Sequence, residues 1–159
     1  MRVGRLLGWL CVVVALCSCS VVPTESRADT FDGLSVRLGE LINEDRRAKG
    51  LAPLRAHEGL RDAAYRKATD MVARRYFGHT DPDGRSPWVW FDRAGYRYLA
   101  AGENLARAQP DAQHIRADWM DSSAHRRNLL SPDYSDFGIA AVDDRGRVLV
   151  VAFFGHSGP

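Results

Sequence analysis

The apolar residues of this chain change period partway along its length, and that change limits the fold more than any other feature. Phe31, Leu34, Leu38, Leu41 and Ile42 recur at helical spacing and share one face. Asp29 or Thr30 is placed to cap that helix and Gly50 to stop it. Leu60, Ala64, Ala68, Met71 and Val72 make the stripe of a second helix over about 58–76, and its alanines imply close approach to another element. Ser86-Pro87 reads as an N-cap followed by proline at the first helical position, with Gly95 as the stop. Asp111 caps a helix carrying Ile115, Trp119 and Met120, and Ser122 or Ser123 opens a further turn that runs to Leu130. Gly102 to Ala106 is expected to be a short strand or ordered loop. Alternation then takes over. Phe137, Ile139 and Ala141 alternate, as do Val148, Val150, Ala152 and Phe154, with Asp143-Asp144-Arg145-Gly146 between them as a turn. Helices first and a hairpin last predict an α+β fold with a small antiparallel β-sheet flanked by helices.

The N-terminus follows a different logic. Arg2 and Arg5 carry the only charges in the first 24 residues, and Leu6 to Cys17 is apolar apart from Gly8. This is the pattern of a secretory signal peptide. The run is shorter than the roughly 18 apolar residues a membrane span needs. Leu16-Cys17-Ser18-Cys19 resembles the bacterial lipobox, with Cys19 as the lipid-carrying residue. Ordinary cleavage nearby, with a freely secreted product, is the alternative. The expected organisation is a signal peptide over 1–18, a linker over 19–30 and one domain over 31–156, outside the cytoplasm and monomeric.

Composition sharpens this reading. The 159 residues carry a formal charge of +2, from 22 basic and 20 acidic side chains, and the basic ones are twenty Arg with only Lys49 and Lys67 besides. Arg2 and Arg5 lie in the segment expected to be removed, which holds no acid, so the remaining chain carries 20 of each sign. That balance gives no reason to expect nucleic acid as a partner or strong attraction to anionic lipid. All three cysteines lie at or before Cys19, which excludes a disulfide-stapled mini-fold and a cysteine zinc finger.

Standard catalytic patterns are largely missing: no Walker loop, no dinucleotide Gly-rich turn, no Gly-x-Ser-x-Gly and no His-Glu-x-x-His. Asp81-x-Asp83-Gly84 lacks the later oxygens of a calcium loop and reads as a turn. Of five histidines, His57 and His156 fall in connector and tail, where exposure is the default. His114, Asp118, Asp121 and His125 would share a face on one unbroken helix, but Ser122-Ser123 breaks it, and His114 and Asp118 read as a solvated face. His79 and Glu103 each follow a glycine. Glu103 sits among Ala100, Ala101, Leu105 and Ala106, so a partly buried carboxylate is expected there, and a histidine is a natural partner for it. On spacing alone, mutual satisfaction inside a packed loop stands slightly ahead of a functional site.

Several segments in order resemble one family. Gly102-Glu103-Asn104-Leu105-Ala106 resembles the Gly-Glu-Asn motif of the CAP superfamily of cysteine-rich secretory, antigen-five and pathogenesis-related proteins. Asn43-x-x-Arg46 is similar to its His-Asn-x-x-Arg, with Ile42 in place of the histidine. The stretch from Phe77 through His79 and Pro82 to Gly84 resembles the Phe-x-His-x-x-Pro-x-Gly segment of bacterial members. Trp119, Ser122, His125, Arg126 and Asn128 match their Trp-x-x-Ser-x-x-His-Arg-x-Asn block. The resemblance spans about 34–155 and implies an α-β-α sandwich with a cleft formed by His79, Glu103 and His125. The second acid of some members would fall at Ser122, with Asp121 one residue early, so Asp121 and Ser122 are additional cleft candidates. The implied triad is also a ligand set for zinc or another divalent cation, although one anionic ligand is missing. No nucleophile stands out. The expectation is a protein that binds a lipid, cell-wall or protein ligand, with a metal-dependent hydrolase as the alternative. Asn43, Arg46, Asn104 and Asn128 are assigned to structural hydrogen bonding and Trp88, Trp90 and Trp119 to core or cleft wall.

Overall fold

Every residue from Val148 to Gly155 is buried, on both faces of a single strand. That strand therefore needs a covering layer on each side, and it receives one. The computed structural model describes residues 27–158, with side chains from Phe31 onward. The expected signal peptide and lipobox, including Cys19, lie outside the described residues. The elements are α1 (Arg27–Ala48), β1 (Arg55–Ala56), α2 (Glu58–Arg74), α3 (Val89–Arg93), β2 (Tyr98–Ala108), α4 (Ala112–Asp121), α5 (Ser123–Leu129), β3 (Asp136–Asp144) and β4 (Arg147–Ser157). The sheet order is β1-β3-β4-β2. On one face α1, α4 and α5 pack Leu38, Ile42, Ile115, Trp119 and Leu129 against Val148, Val150, Ala152 and Phe154. On the other, α2 and α3 pack Leu60, Ala64, Met71 and Phe91 against Leu149, Val151 and Phe153. The architecture is the α-β-α sandwich that the resemblance implied.

The helical stripes fall where the spacing placed them, and Gly50 ends α1 as expected. Its φ is 72°, and Leu51 N–H donates to the Arg46 carbonyl at 2.9 Å in a closing turn. The β3–β4 hairpin turns on Arg145 and Gly146, whose φ values of 56° and 87° match the primed turns that suit strand twist. Arg46 is buried and holds three backbone carbonyls, donating to Ala52 O at 2.9 Å, Leu129 O at 3.0 Å and Ser131 O at 2.8 Å.

Four elements differ from expectation. Helix α1 begins at Arg27, so Asp29 and Thr30 lie inside it rather than capping it. Helix α3 begins at Val89. Ser86 and Pro87 instead form a tighter preceding turn, in which Trp90 N–H donates to Pro87 O at 3.1 Å. Strand β2 runs eleven residues, because β4 offers it partners from Val148 to Ser157. The two-residue β1 pairs parallel with β3, so the sheet is mixed rather than wholly antiparallel. His57 is not a solvated connector residue: its ring accepts from Gly59 N–H at 3.1 Å as the α2 N-cap and meets the Tyr96 ring edge-on.

Candidate functional site

Glu103 occupies the middle of β2, with Gly102 and Asn104 on either side, and all three are buried. Its backbone carbonyl accepts from Asn128 Nδ2 on α5 at 2.9 Å. The same amide donates to Asn104 Oδ1 at 2.8 Å, and Asn104 Nδ2 donates to the His125 carbonyl at 3.1 Å. These three bonds fasten α5 to β2 and so fix His125 beside Glu103. The absence of a side chain at Gly102 is required there, because a Cβ would meet the Tyr134 hydroxyl at 2.5 Å. The structural roles expected of Asn104 and Asn128 are the ones observed, and Asn43 likewise bridges α1 to the Leu54 backbone with bonds of 3.0 and 2.7 Å.

His79 reaches the carboxylate from the loop after α2. That loop is knotted on buried Asp81, whose Oδ1 accepts from the N–H groups of Asp83 and Arg85, both at 2.9 Å. The bonds from Arg85, led by its N–H, and from Asp83 N–H outweigh desolvation and hold the Asp81 carboxyl below its usual range. Arg85 Nε binds Asp81 Oδ2 at 2.7 Å, and Arg74 binds Asp83 at 2.9 Å. Asp81 and Asp83 therefore form a turn, as expected, and arginines pair with both carboxylates. His79 Nδ1–H donates to Glu103 Oε1. The carboxylate side chain is 2% exposed and the imidazole 59% exposed, so the ring bridges the interior and the solvent.

Glu103 has a second partner that the sequence reading missed. Lys67 Nζ lies 2.6 Å from Glu103 Oε2, and both side chains are almost fully buried. The same ammonium donates to the His79 carbonyl at 2.7 Å. The Lys67–Glu103 contact is close but not aligned as a hydrogen bond at Oε2, so it is an ion pair first. Burial lowers the Lys67 pKa, and the charge of Glu103 offsets only part of that. Lys67 thus fixes both the carboxylate and the backbone of the residue bonded to it. The signal was present: Lys67 is one of two lysines among twenty arginines and falls between Ala64 and Ala68 on the apolar stripe of α2. A slender ammonium fits where a guanidinium fork would not.

His125 stands next to this pair without joining it. Burial pushes its pKa down, and the nearby His79 ring adds to that, so its neutral form is favoured. Its ring tilts toward Trp119 at 6.4 Å between centroids, and no hydrogen bond joins it to Glu103 or His79 among the described residues. Ser122 does not face the cleft chemically: its hydroxyl caps α5, 3.5 Å from His125 N. Asp121 is exposed, and its charge acts on Arg116. His114 and Asp118 form a weak exposed pair at 3.5 Å, as expected of a solvated face. Trp119 is core, and its Nε1–H donates to Leu105 O at 3.1 Å.

A divalent metal would need several ligands converging on one point. Among the described residues no three His, Cys, Asp or Glu side chains are arranged to hold one. Glu103 already divides its two oxygens between the Lys67 ammonium and the His79 ring. A metal bound there would have to displace Lys67 or sit beside it as a second cation. In this arrangement the residues do not fit a metal.

A mixed sheet between two helical layers, with Glu103 and the two histidines at one rim, defines a domain of the SCP type. The model of the cysteine-rich secretory protein family, CAP, matches residues 40–154, and the chain belongs to that family. The YkwD protein of Bacillus subtilis is 33% identical over 132 residues, covering 83% of this chain and 51% of that protein. The membrane protein YlbC of the same organism is 29% identical over 100 residues, covering 63% of this chain and 29% of its own length. This chain therefore spans about half of one relative and less than a third of the other. An extracellular SCP-domain protein of Bacillus anthracis superposes with a TM-score of 0.76 at 22% identity, covering 86% of this chain and 45% of that one. An outer surface protein of Borrelia burgdorferi superposes at 0.74 with 20% identity, covering 79% and 94%.

Proposed function

We propose that this CAP domain works outside the cytoplasm as a binding module, with the rim of His79, Glu103 and His125 as its recognition surface. One observation carries the reading. The buried charges of the site neutralise one another through Lys67 and Glu103, leaving the exposed His79 ring as the group that faces a partner. With Nδ1 engaged by Glu103, Nε2 is the ring nitrogen left for a ligand. A ligand hydroxyl or amide from a lipid, a cell-wall glycan or peptide, or a protein can pair with it. No Ser, Thr or Cys side chain is hydrogen-bonded to either histidine ring among the described residues, so the dyad lacks a nucleophile to activate.

The extracellular and outer-surface descriptions of two structural relatives support the placement. Among the described residues no helix is long and apolar enough to cross a membrane. The anchor we propose is Cys19 of the lipobox-like segment, whose diacylglyceryl and N-acyl chains would together suffice for stable attachment. Replacing Cys19 with Ser should move the chain from the membrane to the soluble fraction, and unchanged retention would refute the anchor. For the binding function, native mass spectrometry of the purified protein should detect a copurifying ligand that the His79→Ala variant loses. A protein that carries and binds nothing, yet takes up zinc tightly in a His79-dependent manner, would overturn the reading in favour of metal chemistry.

A further inference from the structure

A second polar site, lined by other residues than the histidine rim, lies past the C-terminal end of α2. Arg75, Arg107, Arg145 and Arg147 line one open cavity of about 300 Å³ together with Met71, Val72 and Asp144. Arg107 is held in place. Its Nε lies 2.7 Å from Asp144 Oδ2, and its guanidinium stacks over the Phe77 ring at 4.9 Å. The Asp144 contact is close but not aligned as a hydrogen bond, so it satisfies Arg107 only in part. Arg75, Arg145 and Arg147 are exposed, and none forms an ion pair among the described residues. Neither of the other acids nearest in sequence, Asp70 and Asp143, lines the cavity. Asp70 accepts from the Tyr76 hydroxyl at 2.8 Å, and Asp143 accepts from Gly146 N–H at 3.3 Å.

The backbone supplies an independent observation. Arg75 and Arg145 are the two non-glycine residues with positive φ among the described residues, at 58° and 56°. One ends α2 and the other turns the β3–β4 hairpin, positions where Gly or Asn is the unstrained choice. Both unfavourable positions carry an arginine, and both arginines line the same cavity. Strain retained at two converging sites points to a use for the side chains.

We propose that this cavity binds a phosphate monoester or diphosphate group. Four guanidiniums against one carboxylate leave a local excess of three positive charges, which a single carboxylate ligand would not balance. Planar guanidinium forks match the tetrahedral oxygens of phosphate with paired hydrogen bonds. The group is borne either by a lipid head or by a soluble phosphate compound.

The test uses the full chain and inorganic pyrophosphate in isothermal titration calorimetry. Arg75→Gly and Arg145→Gly should each weaken binding about tenfold, since each removes one charge-assisted contact, while Arg97→Ala, outside the cavity, leaves it unchanged. Because Gly relieves the positive φ, both variants should melt at or above the wild-type temperature, which separates lost binding from lost folding. Phosphatidylcholine vesicles with and without phosphatidic acid distinguish the source. A phosphatidic acid-dependent gain in sedimentation that Arg145→Gly abolishes assigns the lipid head, and pyrophosphate binding without that gain assigns a soluble phosphate. Equal pyrophosphate affinity in wild type and Arg145→Gly, or no measurable binding by wild type, would overturn the proposal.

Discussion

Lys67→Met is expected to destabilise the fold by about 3–5 kcal/mol, the cost of breaking a buried pair by removing one partner. Methionine matches the unbranched apolar stem of lysine up to Cε, so the packing between Ala64 and Ala68 survives. What is lost is the ammonium 2.6 Å from Glu103 Oε2 and its bond to the His79 carbonyl at 2.7 Å. The carboxylate is then left almost fully buried with the His79 ring alone. The double variant Lys67→Met/Glu103→Leu should recover most of the loss, because a buried pair replaced on both sides by apolar groups is often neutral. Urea unfolding of wild type, both single variants and the double variant closes the cycle. A loss under about 1 kcal/mol for Lys67→Met would mean that water reaches the pair and screens it.

Gly138→Ala should be of similar severity, for a purely steric reason. A Cβ at Gly138 would stand 2.2 Å from both Arg61 N and the Leu60 carbonyl carbon. Both are backbone atoms in the first turns of α2, so no rotamer relieves the clash. The helix must lift from β3, and Leu60, Ala63 and Ala64, all fully buried, would lift with it. A loss of about 3 kcal/mol or more is expected, at or beyond the upper end for overpacking. Gly33→Ala is the natural comparison. It lies in α1 with nothing within 4 Å of the added Cβ, so a gain of about 0.5–1 kcal/mol is expected. Thermal unfolding of the two variants reads both signs. A Gly138→Ala protein that melts with wild type would contradict the close approach of α2 to β3.

Periodicity made the helical stripes legible, because burial on one face leaves a repeat that no other element reproduces, whereas the hairpin was placed by the turn at Asp143–Gly146, β4 being buried on both faces. The ends of elements were harder to read. Nothing local in Asp29 or Thr30 prevents a helix from starting at Arg27, and β1 is too short to carry a pattern at all. At the site, His79 and Glu103 were legible from glycine neighbours and an apolar flank, and their contact is as anticipated. Lys67 was not, because a single cation on a helical stripe reads as surface until tertiary packing covers it. Asp121 shows the reverse: a position one residue before that of the family's second acid did not bring it to Glu103, and it is exposed with its charge acting on Arg116.

The order of assembly follows from the position of β4. One of the two inner strands, β4, is also the last of the described elements, and β2, some fifty residues earlier, pairs along it from Tyr98–Ser157 to Ala108–Val148. Until residues 147–157 are available, β2 and β3 have no common partner and the two helical layers have nothing to cover. A ribosome or a translocation channel delivering this chain from its N-terminus therefore releases helices that cannot yet close on a sheet. Folding is deferred until the final segment emerges. Were the chain exported as proposed above, that delay would keep it in a conformation that can still be threaded.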